Sequence, residues 1–282
     1  MKHFHQLLKE EKIVVLPGVF NAASALVAKS VGFSGLYISG SGIATGAFGV
    51  PDLGITTLND VCEEVRRVSN VEALRAMPLL VDADTGFGNE SETVQKLESV
   101  GAVGIHLEDQ VFPKRCGHRP GKEVILPEEM VLKIQNAIKA KKNPDFFIVA
   151  RVDSRSVLGL DDAINRAKLY QGAGADAIFA EALESKDEYK KFVDSLKIPV
   201  LANMTEFGKT PYISVYEFEM IGVRMVIFPL TAFRRMMKAV EEVYHLIKKE
   251  GTQKSILNHL QPREELYKLL NYYEIEKRVR TN

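Results

Sequence analysis

Two aspartates stand two residues apart in Val81-Asp82-Ala83-Asp84-Thr85-Gly86-Phe87-Gly88, directly after a short apolar run. Residues i and i+2 of an extended segment point to one side, so Asp82 and Asp84 present their carboxylates together. Such a pair is unfavourable unless a cation neutralises it, and the segment places no lysine or arginine between them. Oxygen donors of this kind suit Mg²⁺, with Mn²⁺ as the alternative, because these ions take one or two carboxylates and complete their octahedra with water and substrate. A capped surface turn is the reading without chemistry. Glu108 and Asp109 close a second apolar run, Gly104-Ile105-His106-Leu107, and place more acid on the same side; Glu108 is expected near the metal. His106, inside that run, is expected to face the helical layer or the core.

The segment Phe112-Pro113-Lys114-Arg115-Cys116-Gly117-His118-Arg119-Pro120-Gly121-Lys122 packs cations around one cysteine. Positive neighbours favour a thiolate and attract carboxylate substrates. Gly117 and Gly121 give the segment the freedom of a lid. A zinc site fits poorly, since Cys116 and His118 are only two apart and Cys62 falls in an outer helix. An exposed free thiol in a merely solvated basic loop would be an oxidation liability, so Cys116 is read as catalytic.

These residues need elements to hold them. Apolar β-branched runs alternate with longer amphipathic stretches along the chain, the pattern of parallel strands buried on both faces and joined by crossover helices. Strands are expected at 13–19, 35–39, 78–82, 104–108, 146–151, 177–181, 200–203 and 225–228, with helices starting near Asn21, Thr57, Ser91, Pro127, Leu160, Lys186, Ser214 and Thr231. Eight repeats in 282 residues predict an α/β fold, a closed (β/α)₈ barrel of one domain. Glycine at the helix exits Ser30-Val31-Gly32, Ser99-Val100-Gly101-Ala102 and Gly172-Ala173-Gly174-Ala175-Asp176 suits a left-handed cap. Residues 252–282 exceed what a barrel needs. They are read as a C-terminal helical extension, with an amphipathic run over Glu264–Val279 that packs on a neighbouring subunit.

In such a barrel the carboxyl ends of the strands converge on one rim. That rim collects Tyr37-Ile38-Ser39-Gly40-Ser41-Gly42, whose closely spaced glycines let backbone amides meet an anion. It also collects Arg151, Asp153, Arg155, Glu181, Asn203-Met204-Thr205-Glu206 and Arg234. Arginine forks suit carboxylates. Lys plus Arg and Asp plus Glu both number 37, which points away from nucleic acid or an anionic membrane and towards a small-molecule ligand. Neither a secretory signal nor a membrane span is expected, and two cysteines need no disulfide, so a soluble protein of the reducing cytoplasm is the expectation.

Several of these segments together resemble the isocitrate lyase and phosphoenolpyruvate mutase superfamily, and within it the short-chain 2-methylisocitrate lyases. Lys114-Arg115-Cys116-Gly117-His118 matches the lyase signature K-[KR]-C-G-H. Gly49-Val50-Pro51-Asp52-Leu53-Gly54, Val81 through Gly88, Leu107-Glu108-Asp109-Gln110, Asn203-Met204-Thr205-Glu206-Phe207-Gly208 and Glu250-Gly251-Thr252-Gln253-Lys254-Ser255 match along nearly the whole chain. The resemblance implies that Asp82 and Asp84 hold Mg²⁺, with Glu108 nearby and Asp52 supporting the shell. It implies that Ser39, Gly40 and Ser41 bind the α-keto acid portion, with Arg151 on its oxygens. Glu181, Asn203, Met204, Thr205, Arg234 and Arg263 would line the dicarboxylate side, with Gly117 close by. Tyr37 is the candidate base, and Cys116, with Lys114 and His118 on its loop, the acid.

The implied reaction is a retro-aldol cleavage of 2-methylisocitrate to pyruvate and succinate, as in the methylcitrate route of propionate catabolism. Helix exchange between subunits of a homotetramer is implied as well. Two positions depart from the pattern: relatives usually carry glycine at Ser41 and the lyases proline at Ala180, and both are expected at the pocket. Isocitrate or dimethylmalate cleavage, oxaloacetate hydrolysis and phosphonomutase chemistry share the barrel. A Schiff-base aldolase is disfavoured for want of a lysine at a strand end, and a silent ligand-binding barrel would be expected to lose Asp84 or Cys116.

Overall fold

Runs of four to six residues with almost every side chain covered form the strands of the computed structural model, which describes residues 2–281. They are β1 (Val14–Val19), β2 (Leu36–Ile38), β3 (Leu79–Asp82), β4 (Gly104–Glu108), β5 (Phe147–Val152), β6 (Ala177–Ala180), β7 (Val200–Asn203) and β8 (Met225–Phe228), with β2 shorter at three residues. Each pairs in parallel with the next, and β8 returns to β1, closing an eight-stranded barrel. The expected strands are found within two residues at each end.

Side chains alternate between two apolar layers. Leu16, Leu80, Phe147, Phe179, Leu201 and Ile227 fill the barrel interior, while Val81, Ile105, Ile148, Ile178 and Val226 face the helices outside. The crossover helices start at their expected caps: Asn21, Thr57 and Ser214 each accept a backbone amide in a capping box. Gly32, Gly101 and Gly174 adopt φ of 104°, 104° and 101°, the left-handed geometry expected of them.

Three helices lie outside the eight-pair reading. Phe4–Glu10 inserts Phe4 and Leu7 into the interior cluster, with the Phe4 ring 5.5 Å from that of Phe147 at the start of β5. The glycine-rich stretch after β2 is a helix, Gly40–Ala47, capped by Ser39. Arg155–Leu158 forms a single turn after β5. The run 264–279, expected to be continuous, is two helices, Arg263–Leu269 and Tyr272–Thr281, because Asn271 takes φ 54° between them. Leu260, Leu266, Leu270, Tyr273, Ile275 and Val279 remain exposed along this tail. Among the described residues no helix is long and apolar enough to cross a membrane.

Candidate active site

β3 delivers Asp82 and Asp84 to the rim, both almost fully buried. Asp82 Oδ2 accepts from the Gly40 amide at 3.1 Å, and Asp82 Oδ1 accepts from the Asp84 amide at 3.1 Å. A Cβ on Gly40 would stand 3.0 Å from Asp82 Oδ2, so glycine is what lets the helix start press its amide onto the carboxylate. The sequence offered no neighbouring cation, but the fold does: Lys114 Nζ lies 2.5 Å from Asp52 Oδ1 and 2.7 Å from Asp84 Oδ1. The Lys114 ammonium therefore pairs with two aspartates rather than with the thiol near it in sequence.

Electrostatics separates the two carboxylates. Burial pushes Asp84 up to about 6, against the pull of Lys114 and with the push of Asp82. Asp82 also loses water, but His106, Lys114 and Arg151 outweigh that and hold it at about 2. Burial pulls His106 down to about 4, so at neutral pH the ammonium and guanidinium do this work. Glu108 is raised well above the usual carboxylate range by complete burial, Arg151 opposing. Neither Glu108 oxygen has a hydrogen bond, and Arg151 Nη1 stands 3.4 Å from Oε2.

The donor set fits a hard divalent cation. Asp82 and Asp84 supply two converging carboxylates, and Glu108 adds two buried oxygens without hydrogen-bond donors. Among the described residues no three acidic, imidazole or thiol groups gather closely enough to hold a metal ion by themselves; magnesium typically takes one or two carboxylates and completes its shell with water and substrate.

His106 does not face the helical layer. It lies inside the barrel under the aspartates, with Nε2 2.9 Å from the Tyr37 hydroxyl and 3.4 Å from Asp82 Oδ1. Burial, then the Asp82 charge, raises Tyr37 well above 10, while Arg151 pulls the other way.

The loop 112–122 lies across the rim. A cleft of about 350 Å³ is lined by Tyr37, Ser39, Ser41, Asp52, Asp82, Lys114, Arg115, Cys116, Gly117, His118, Arg151, Glu181, Asn203, Thr205 and Arg234, with Phe179, Ile227, Pro229 and Leu230 as an apolar wall. Cys116 is exposed in it and Cys62 is buried elsewhere. His118 Nδ1 accepts from the Lys209 amide at 3.0 Å, which leaves its proton on Nε2, 3.1 Å from Glu181 Oε1. Glu181 also accepts from Asn203 Nδ2 at 3.2 Å, with Arg151 Nη2 at 3.7 Å. Burial would raise Glu181, yet Arg151 and His118 hold it well below its ordinary value. Arg151 is itself gripped by Asp153 through Nε at 2.8 Å and Nη2 at 3.1 Å.

Five expected residues lie elsewhere; Arg155, on the single turn after β5, pairs with Glu184 and Glu188. Met204 is in the outer core, its sulfur accepting from the Ile213 amide, because alternation along the chain after β7 turns it away from the cleft. Arg263 is exposed at the start of a helix that packs on the helix Ala22–Val31. Asp109 points outward from the rim and accepts from Tyr170 Oη at 2.8 Å and the Asp153 amide at 2.8 Å. Ala180 joins the outer core and does not touch the cleft; Phe179 and Glu181 on either side of it do. Sequence reasoning in turn missed Gln110, Lys122 and the apolar wall. The alternation of β6 carried the signal for Phe179.

Carboxylates suited to a cation, an arginine fork and a cysteine loop, all on the carboxyl rim of a (β/α)₈ barrel, define an enzyme acting on a small anionic substrate. The family described as Phosphoenolpyruvate phosphomutase matches residues 4–248, and the chain belongs to it. It is 46% identical over 282 residues to the 2-methylisocitrate lyase of Escherichia coli (strain K12), covering 99% of this chain and 94% of the relative. It is 49% identical over 276 residues to the 2-methylisocitrate lyase of Aeropyrum pernix, covering 97% and 88%. A solved structure of 2,3-dimethylmalate lyase superimposes with a TM-score of 0.89 at 33% identity, covering 97% of this chain and 92% of that one.

Proposed function

We propose that the chain cleaves 2-methylisocitrate to pyruvate and succinate with Mg²⁺, or Mn²⁺ in its place, held by Asp82 and Asp84 with Glu108 and Asp52 around them. One observation carries this reading: a single loop brings Cys116 and His118 to the cleft while its lysine reaches the aspartates. When bound, the cation supplies positive charge to the substrate's hydroxyl and carboxylate oxygens and lowers the pKa of groups facing it. Ser39, Gly40 and Ser41 receive the keto-acid half, with Arg151 on its oxygens and beside the carboxylate next to the breaking bond; Asn203, Thr205 and Arg234, with His118 oriented by Glu181, line the side of the other carboxylates.

Tyr37 takes the hydroxyl proton while passing its own phenolic proton to His106 Nε2, 2.9 Å away, as the bond between the carbinol carbon and its neighbour breaks, and the hydroxyl carbon becomes the pyruvate carbonyl. The bonding pair stays on the succinate carbon, its charge spread into the adjacent carboxylate beside Arg151. Cys116 then protonates that carbon. The loop, seated over the cleft, excludes water meanwhile.

The test is release of keto acid from 2-methylisocitrate, isocitrate, 2,3-dimethylmalate, oxaloacetate and phosphonopyruvate, with EDTA and with Mg²⁺ restored. Metal-dependent cleavage of 2-methylisocitrate above the others is expected; cleavage of none of the carbon–carbon substrates overturns the proposal. The exposed apolar residues of the tail are where subunits would associate, with the helices exchanged between copies of a cytoplasmic homotetramer. Sedimentation equilibrium should return four times 31.5 kDa, and a monomer would refute it.

A further inference from the structure

Besides the contacts of Lys114 and His118, the loop carrying Cys116 has a neck and two further anchors. At the neck, the Val111 amide donates to Glu123 O and the Ile125 amide to Asp109 O, both at 2.9 Å, so two short antiparallel segments close the loop at its base. Above the neck, nothing in the sequence requires residues 112–122 to take one shape.

Gln110 adds a constraint on the backbone next to Cys116. Its side chain is almost wholly buried and rises from the neck into the loop. Oε1 accepts from the Arg115 amide at 3.0 Å, and Nε2 donates to Arg115 O at 2.9 Å. The primary amide thus grips both polar groups of the residue directly before Cys116, as a neighbouring strand would. Nε2 also stands 3.2 Å from Asp153 Oδ1. That oxygen accepts from Lys122 Nζ at 2.8 Å and from Arg151 Nη2 at 3.1 Å. One carboxylate therefore joins the arginine of the cleft, the far end of the loop through Lys122, and the near end through Gln110.

We infer that Gln110 is a positioning residue that fixes the Cys116 peptide relative to Arg151, so that the thiol stands at the carbon whose charge Arg151 helps to stabilise. The catalytic sense of this inference rests on the proton-donor role proposed for Cys116; the structural sense does not. An error of about 1 Å in the placement of a reacting group costs on the order of 100-fold in rate, and a glutamine that touches no substrate should act on turnover rather than on binding.

Gln110→Met keeps the volume and removes the clamp; Gln110→Asn keeps the amide but falls one methylene short. Both are compared with the parent enzyme in three measurements: deuterium exchange of the 111–122 peptide, the rate of Cys116 alkylation by iodoacetamide, and kcat against KM. The expected result for either variant is loop exchange faster by roughly tenfold, as for one or two lost buried hydrogen bonds. Alkylation should change severalfold, and kcat should fall 10- to 100-fold with KM within about threefold.

Thermal unfolding serves as the control for a merely structural role. If Gln110→Met does not fold, Gln110→Asn carries the test. Loop exchange and alkylation as in the parent enzyme overturn the inference whatever the activity. Cys116→Ser, assayed alongside, separates the two ideas: retained turnover there refutes the proton-donor role, while altered loop exchange in the glutamine variants still establishes the clamp.

Discussion

Gly117 lies where no side chain fits. A Cβ there would stand 2.1 Å from Glu181 Oε1 and 2.5 Å from Arg151 Nη2, whereas ordinary contact begins at 3.4 Å. Neither neighbour is free to retreat: Glu181 is held by Asn203 and His118, and Arg151 by both oxygens of Asp153. The loop must lift instead, by about 1.3 Å, the difference between 3.4 and 2.1 Å. A displacement of that size next to Cys116 predicts a loss of about 100-fold in kcat/KM for Gly117→Ala. The fold should be unaffected, because a rim loop can rise without opening the core. Keto-acid release under saturating metal measures the first, and circular dichroism melting the second. Gly172→Ala is the control, since a Cβ there meets nothing within 4 Å. If Gly117→Ala stays within about threefold of the parent while Gly172→Ala is silent, the loop is not seated on Glu181 and Arg151 in the working enzyme.

Cys116→Ala should bind substrate with little change by calorimetry and lose turnover by a factor of roughly 10² to 10⁴, the usual contribution of a general acid; full activity would remove the thiol from the mechanism. Lys114→Met takes the ammonium from Asp52 and Asp84, so Mn²⁺ followed by electron paramagnetic resonance without substrate should bind at least about tenfold more tightly; weaker binding would show that Lys114 does not compete with a cation for these oxygens. Asp109, away from the cleft, gives a pH prediction. Burial, reinforced by Asp153, raises it to about 6 from 3.8, so between those values the folded chain binds the extra proton and stability falls as pH rises. Urea midpoints of the parent and Asp109→Asn should therefore diverge between pH 4 and 6, the parent losing up to about 3 kcal/mol relative to the variant. Parallel pH profiles would contradict it.

The barrel was legible because its signal is local and repeated. Each strand is a short run of β-branched or aromatic residues, and each crossover carries its own cap, as at Asn21 and Thr57, or its exit glycine, as at Gly32 and Gly174. The strand ends then named much of the site: Asp82, Arg151, Glu181 and Asn203 in the cleft, and Glu108 buried beside them, follow from topology once eight repeats are counted. Residues beyond the last strand residue were harder. Met204 and Asp109 lie one step past β7 and β4, where alternation decides inside from outside, and each turned away from the cleft. The helix Gly40–Ala47 was hidden because glycines argue for a turn, while Ser39 capping and the Asp82 carboxylate at its first amide stabilise a helix.

What the sequence could not disclose is which charges meet. Lys114, Lys122 and His118 stand within nine residues of one another, and proximity in the chain suggests one basic patch around Cys116. The fold separates them: Lys114 goes to Asp52 and Asp84, Lys122 to Asp153, and His118 to Glu181. Each of these side chains meets a carboxylate from a different strand or loop, and a buried carboxylate left unpaired is among the most unfavourable groups a protein can hold. The composition of the loop is thus set by the acids beneath it as much as by the cysteine it carries.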